Sequence, residues 1–157
     1  MRNSRSGARV NSQCEQLLNR FCNRYSLLLP EPDERGRYQL GFDQVEVSLF
    51  ERLGRLYLVA QLIPLPAERA EREQLLEKAG AYLFRYLYVD ECVLNLVNEG
   101  ENSYLALVVT ITDPGAVEPD TFDPCISALV NRAESLVAHL SSTPGAAPAH
   151  RLSVFRP

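Results

Sequence analysis

The residues with which this chain could hold a metal or build a nucleophile are four cysteines and two histidines. A zinc site needs Cys and His ligands in closely spaced pairs, and a thiol nucleophile needs a base beside it. Cys14, Cys22, Cys92 and Cys125 are far apart, none belongs to a CxxC pair, and neither His139 nor His150 lies within a few residues of a cysteine or of the other histidine. The cysteines instead fall on or beside apolar-periodic positions, where a thiol packs as a small hydrophobe. His139 stands near the end of a periodic stretch, where an imidazole helps to satisfy the last carbonyls of a helix. Acid–base chemistry would draw on paired carboxylates, and the pairs Asp90 with Glu91 and Glu99 with Glu101 stand at turns, where carboxylates are ordinarily solvated. No glycine-rich phosphate loop and no GxSxG pattern occurs. The expectation is a chain with no catalytic residues, no metal and no cofactor.

Composition narrows the partners. A formal net charge of −4 with scattered basic residues argues against a phosphate-binding face, so no nucleic-acid partner is expected. No apolar run approaches the roughly 20 residues that span a bilayer, and no apolar signal core follows the first arginines, so a cytoplasmic protein without a membrane partner is expected. With 157 residues, 46% of them hydrophobic, one domain is the default. It is expected over residues 12–141. A disordered arm with Arg2, Arg5 and Arg9 precedes it over 1–11, and a flexible Pro/Gly/Ala-rich tail follows over 142–157, ending in the apolar residues Leu152, Val154 and Phe155.

Hydrophobic periodicity supplies the elements. Ser12 and Glu15 form a capping box before Cys14, Leu17, Leu18, Phe21, Cys22, Tyr25 and Leu28, which recur at helical steps up to Pro30 and Pro32. A short strand is expected over Tyr38 to Phe42. Val45, Val47 and Leu49 then alternate with polar residues, and after Leu53 and Gly54 the alternation resumes with Leu56, Leu58, Ala60 and Leu62 against Tyr57, Val59, Gln61 and Ile63. This last strand is apolar on nearly both faces, so it needs helices on one and a partner subunit or ligand on the other.

A second helix is expected from near Ala67, with Glu68 placed to pair with Arg72. Leu75, Leu76, Ala79, Tyr82, Leu83, Tyr86 and Leu87 form its stripe, with Phe84 and Tyr88 off it, more apolar surface than one core covers. Gly80, about 1 kcal/mol worse than alanine in a helix, implies either a close helix approach or simple tolerance. A second hairpin, Cys92 to Val97 and Tyr104 to Ile111, precedes a last helix with Phe122, Ile126, Leu129, Val130, Ala133, Val137 and Leu140 on one face. The fold class is α+β: helix, three strands, helix, two strands, helix, with a twisted antiparallel sheet.

Laid out in this way, the chain resembles the class I type III secretion chaperones, the family of the Tir chaperone. The resemblance rests on the leading helix, FDQVEVSLF, RLYLVAQLIPLP, EREQLLEKAGAYLF, CVLNLVNEGENSYLALVVTI and FDPCISALVNRAESLVAHL, and spans about residues 12–141. Where the family carries an asparagine near the end of its second helix, this chain has Lys78, Ala79 and Gly80. The resemblance implies a non-catalytic homodimer in the cytoplasm of a Gram-negative bacterium. Such a dimer binds the amino-terminal segment of a secreted effector and keeps it export-competent, with the secretion ATPase as a further partner. On that basis the dimer interface is expected at Leu76, Gly80, Leu83, Phe84, Cys92 and Val93, and the cargo surface at Leu17, Phe21, Tyr57, Val59 and Ile63. The alternatives are a dimeric α+β module that binds a small ligand or regulates, and an enzyme whose site is built from tyrosines and carboxylates.

Overall fold

The computed structural model describes residues 12–85 and 92–142. The elements run α1 (Gln13–Arg24), β1 (Tyr38–Gly41), β2 (Glu46–Arg52), β3 (Arg55–Pro64), α2 (Arg69–Phe84), β4 (Cys92–Glu99), β5 (Asn102–Ile111) and α3 (Pro119–Ser141). The strands form one antiparallel sheet in the order β1-β2-β3-β5-β4. The expected α+β order is therefore the order present. The arm with Arg2, Arg5 and Arg9, the residues Tyr86, Leu87, Tyr88, Asp90 and Glu91, and the tail with His150, Leu152, Val154 and Phe155 lie outside the described residues.

The core follows from alternation on the strands and 3.6-residue periodicity on the helices. Val47, Leu49, Leu56, Leu58, Ala60, Leu105 and Leu107 point to one side of the sheet and are buried. Every residue of the predicted α3 stripe, Phe122, Ile126, Leu129, Val130, Ala133, Val137 and Leu140, is buried against them, together with Cys14, Leu17, Leu18, Phe21 and Cys22 of α1. Leu75, Ala79 and Leu83 of α2 join the same core, so all three helices lie on one side. Arg24 at the end of α1 ties this layer together, its guanidinium donating to Asp120 at 2.8 Å and to the buried Asp123 at 2.5 Å on α3.

Several local expectations are corrected. α1 stops at Arg24, because Ser26 turns left-handed (φ 54°) and the Leu27 amide donates to the Cys22 carbonyl at 2.8 Å. This is a Schellman closure made without glycine, ahead of the prolines. Leu28 consequently leaves the apolar stripe and stands 87% exposed. At the other end Ser12 accepts from the Glu15 amide as expected, while the Cys14 amide donates to the Glu51 carboxylate of β2. α2 starts at Arg69 with Glu68 as its N-cap. Arg72 turns back onto the Pro66 carbonyl, and Arg69 with Glu73 forms the helical ion pair in place of Glu68 with Arg72. The β2–β3 turn places both Leu53 (φ 53°) and Gly54 (φ 73°) in the left-handed region, which a two-residue hairpin turn requires.

Cys14 and Cys22 are buried, Cys92 and Cys125 half-buried, and none is in a disulfide. Burial first, then the carboxylates of Glu51 and Glu15, push the Cys14 thiol up to about 12, and burial raises Cys22 as well. Thiolate is the reacting form. In native protein at pH 8, a thiol reagent is expected to leave Cys14 and Cys22 untouched until the chain is unfolded, as peptide mass mapping would show. Rapid native labelling of Cys14 would contradict the placement of α1.

Candidate functional site

Among the described residues, no helix lies on the other side of the sheet. Register pairs Ser48 with Val59, Val59 with Val108, and Val108 with Val93, while Phe50 pairs with Tyr57 and Tyr57 with Thr110. Phe50, Tyr57, Val59, Val108 and Val93 thus form an apolar strip across four strands. The Phe50 and Tyr57 rings stack at 5.4 Å with an interplanar angle of 15°. Phe50, Tyr57, Val59 and Val108 are half-buried, and Val93 is 64% exposed. Gln61, Ser48 and Asn95 sit among them and supply the amide and hydroxyl groups of the face.

An ionic cluster closes one end of this face. Arg37, just before β1, donates to Asp33 at 2.8 Å and to Glu99, at the end of β4, at 2.5 Å. Since β1 and β4 are opposite edges of the sheet, that pair requires a sheet coiled enough to bring diagonal corners together. Alternation puts Glu99 and Tyr104 on the open side, the side that carries the strip. Glu99 also holds the Tyr104 hydroxyl. Burial first, then Glu99, raise the Tyr104 pKa, against the opposing charge of Arg37. Glu99, expected to be solvated, is therefore engaged. Asp33, which accepts from the amides of Arg35 and Arg37 and from the Arg37 side chain, is held below its ordinary 3.8. Its contribution to stability is complete above that ordinary value and fades as pH falls through the lowered one. The depression beside it, lined by Asp33, Glu34, Arg35, Arg37, Glu99 and Gly100, is shallow and polar.

The structure separates the expected site residues. Tyr57 and Val59 lie on the open face. Leu17, Phe21 and Ile63 are buried in the core, where they present no free surface. Of the expected interface, Gly80 is exposed and Phe84 is 70% exposed on α2, whereas Leu83 is buried and Leu76 and Cys92 pack partly against the core. Val93 belongs to the open face and so stands on the opposite side of the sheet from α2. Among the described residues a space-filling reason for Gly80 is lacking, because a Cβ there would meet none of them within 4 Å. His139 is the basic residue of the last turn of α3, as expected; its ring packs on Tyr82 at 4.9 Å, and the Ser142 hydroxyl donates to the His139 carbonyl. Phe50 and Val108 were missed by sequence reasoning: the opposition of Phe50 to Tyr57 follows from the β2–β3 hairpin register, whereas that of Val108 to Val59 joins β3 to β5 across α2 and β4. The exposed run Tyr25, Leu27, Leu28 and Leu29 was missed because it looked like the last turn of a helix.

Among the described residues no group of three or more His, Cys, Asp or Glu is placed to hold a metal, and no helix is long and apolar enough to cross a membrane.

No family model and no curated protein matches this sequence. Solved structures do. The ExsC-ExsE complex includes a chain of 23% identity and TM-score 0.60, with 83% of this chain and 96% of that one covered. The HopA1-SchA chaperone-effector complex gives 19% identity and TM-score 0.59, over 82% and 95%. YbjN from E. coli, described as a putative transcription regulator, gives 10% identity and TM-score 0.62, over 83% and 92%. This chain shares their fold.

Proposed function

We propose that the chain is a non-catalytic type III secretion chaperone. As a cytoplasmic homodimer it holds the amino-terminal segment of a secreted effector in a non-globular, export-competent state, for later delivery to the secretion ATPase. The observation that carries this reading is the open sheet face, where Phe50, Tyr57, Val59, Val108 and Val93 form an apolar strip that no helix of the described residues covers. Such a strip suits an extended or helical segment with apolar anchors. Ordering a disordered segment consumes about 2–5 kcal/mol or more of the gross binding energy, so it demands a long contact. A two-fold dimer supplies that length by repeating the face. The fold shared with the HopA1-SchA chaperone-effector complex supports the reading, and the YbjN fold is the reason that the face, not the fold, has to carry it.

The test is recovery of tagged protein from its source bacterium under secretion-inducing conditions, with the mass of the complex measured by light scattering and the bound region mapped by limited proteolysis. The expected result is two copies of this chain on one larger protein whose amino-terminal segment is protected. A dimer recovered alone, or with a small molecule, would overturn it in favour of a ligand-binding or regulatory module.

The dimer is placed on the outer surface of α2, around Gly80 and Phe84, with Leu76 and Leu83 supporting it from within. Because a Cβ at Gly80 would meet none of the described residues within 4 Å, Gly80→Leu is expected to leave the fold intact and even to favour the helix by up to about 1 kcal/mol. The same change is expected to halve the mass in solution. A dimer of unchanged mass would remove α2 from the interface.

A further inference from the structure

We propose that Arg52 and Arg55 read a carboxylate in the segment held by the open face, so that the partner is an apolar peptide stretch with an acidic residue at one end. The inference rests on the chaperone reading and names the chemistry of the occupant. Arg52 and Arg55 form the last row of the β2–β3 ladder, directly opposite each other before the turn at Leu53 and Gly54. The row behind them fixes the side they take. Leu56 is fully buried in the core and Glu51 reaches the Cys14 amide of α1, so both lie on the helix side. Alternation then turns Arg52 and Arg55 to the open side, next to Phe50 and Tyr57.

Two like charges directly opposite on a sheet are destabilising. Both guanidinium groups are exposed here, and among the described residues no carboxylate is ion-paired with either. Arg37, by contrast, is taken up by Asp33 and Glu99. The pair therefore offers two unused planar forks, each able to hold a carboxylate through parallel hydrogen bonds. They stand at the margin of the Phe50–Tyr57 stack. Toward the far end of the same face stand Glu46 and Glu99, so charge runs from positive to negative along it. Such a face suits a segment lying in one direction, with its acidic residue over the arginines and its apolar anchors on Tyr57, Val59 and Val108. A nucleic acid fits less well, because two arginines bordering an apolar strip make no basic track for a phosphate backbone. The carboxylate marks the end of the contact, and Leu53 at the turn lies beyond it.

Selection of random linear peptides displayed on phage, with the full chain as bait, tests this. The expected result is enrichment of apolar peptides that carry Asp or Glu at a fixed spacing from the apolar residues. In an Arg52→Gln, Arg55→Gln variant the apolar preference is expected to remain and the acidic one to vanish. A selected peptide, followed by fluorescence anisotropy, is expected to bind this variant about 10- to 100-fold more weakly, the range for hydrogen bonds to a charged group. Changing the peptide's acidic residue to its amide should cost the unaltered chain as much and the variant nothing. The variant relieves a like-charge pair, so its thermal melt is expected to hold or rise, which separates lost recognition from a lost fold. Apolar peptides without an acidic preference, or an acidic preference that survives in the glutamine variant, would overturn the proposal and leave the chaperone reading standing. No enrichment at all, or enriched peptides that bind Val59→Asp as tightly as the unaltered chain, would overturn it together with the reading of the face.

Discussion

Replacing Phe122 by alanine is expected to destabilise the fold by about 3–5 kcal/mol, the cost of removing a large aromatic from a packed core. Phe122 is fully buried at the head of α3 and meets Phe21 of α1 edge-on, with ring centroids 6.3 Å apart. Its removal opens a cavity where the two helices join, beside the Arg24 contacts to Asp120 and Asp123. Domains of this size are stable by about 5–15 kcal/mol, so the loss is a large share of the whole. Urea unfolding followed by circular dichroism measures it. A shift worth less than about 1 kcal/mol would mean that α1 and α3 do not pack as described.

Val59→Asp should act on binding and spare the fold. Val59 sits at the middle of the open face, between Ser48 and Val108, and is not a member of the Phe50–Tyr57 stack. A buried carboxylate without a partner in a protein contact is unfavourable, and central contact residues are typically worth about 2–4 kcal/mol, or roughly 30- to 1,000-fold in Kd. The effect on stability is expected to stay near 1 kcal/mol, the span of strand preferences at a half-exposed site. On the proposed chaperone reading, titration of an effector's amino-terminal segment by calorimetry, with thermal melts of both proteins, separates the two effects. An unfolded variant would make Val59 part of the core. Unchanged affinity in a folded variant would move the cargo elsewhere.

The readable parts of this sequence were those in which local pattern and tertiary burial coincide. The α3 stripe from Phe122 to Leu140 is apolar at helical spacing, and the structure buries each of its members. The β2–β3 hairpin was equally legible, because Leu56, Leu58 and Ala60 alternate without interruption. What failed were decisions made between distant residues. Nothing near Ser26 marks a left-handed helix stop, since glycine ordinarily signals it and serine stands there. Glu51 reaches the Cys14 amide across 37 residues, and Arg37 reaches Glu99 across 62, so neither the capping of α1 nor the curl of the sheet was visible in a window of sequence.

The candidate site was half legible for a related reason. β3 is apolar on both sides, and periodicity does not say which side the helices take. Leu17, Phe21 and Ile63 therefore looked as available as Tyr57 and Val59, until packing buried the first three. Cys92 and Val93 are neighbours in sequence but face opposite sides of β4. That distinction could have been drawn from alternation alone.

The most direct measurement is photo-crosslinking from position 57, with a benzophenone amino acid in place of Tyr57, in complex with the captured effector. If the open sheet face holds the cargo, the crosslink will map to the effector's amino-terminal segment, and the same probe at Leu53, exposed at the far turn, will give none. A complex that forms fully but crosslinks from Leu28 and not from position 57 would contradict it, and would place the cargo on the exposed run after α1.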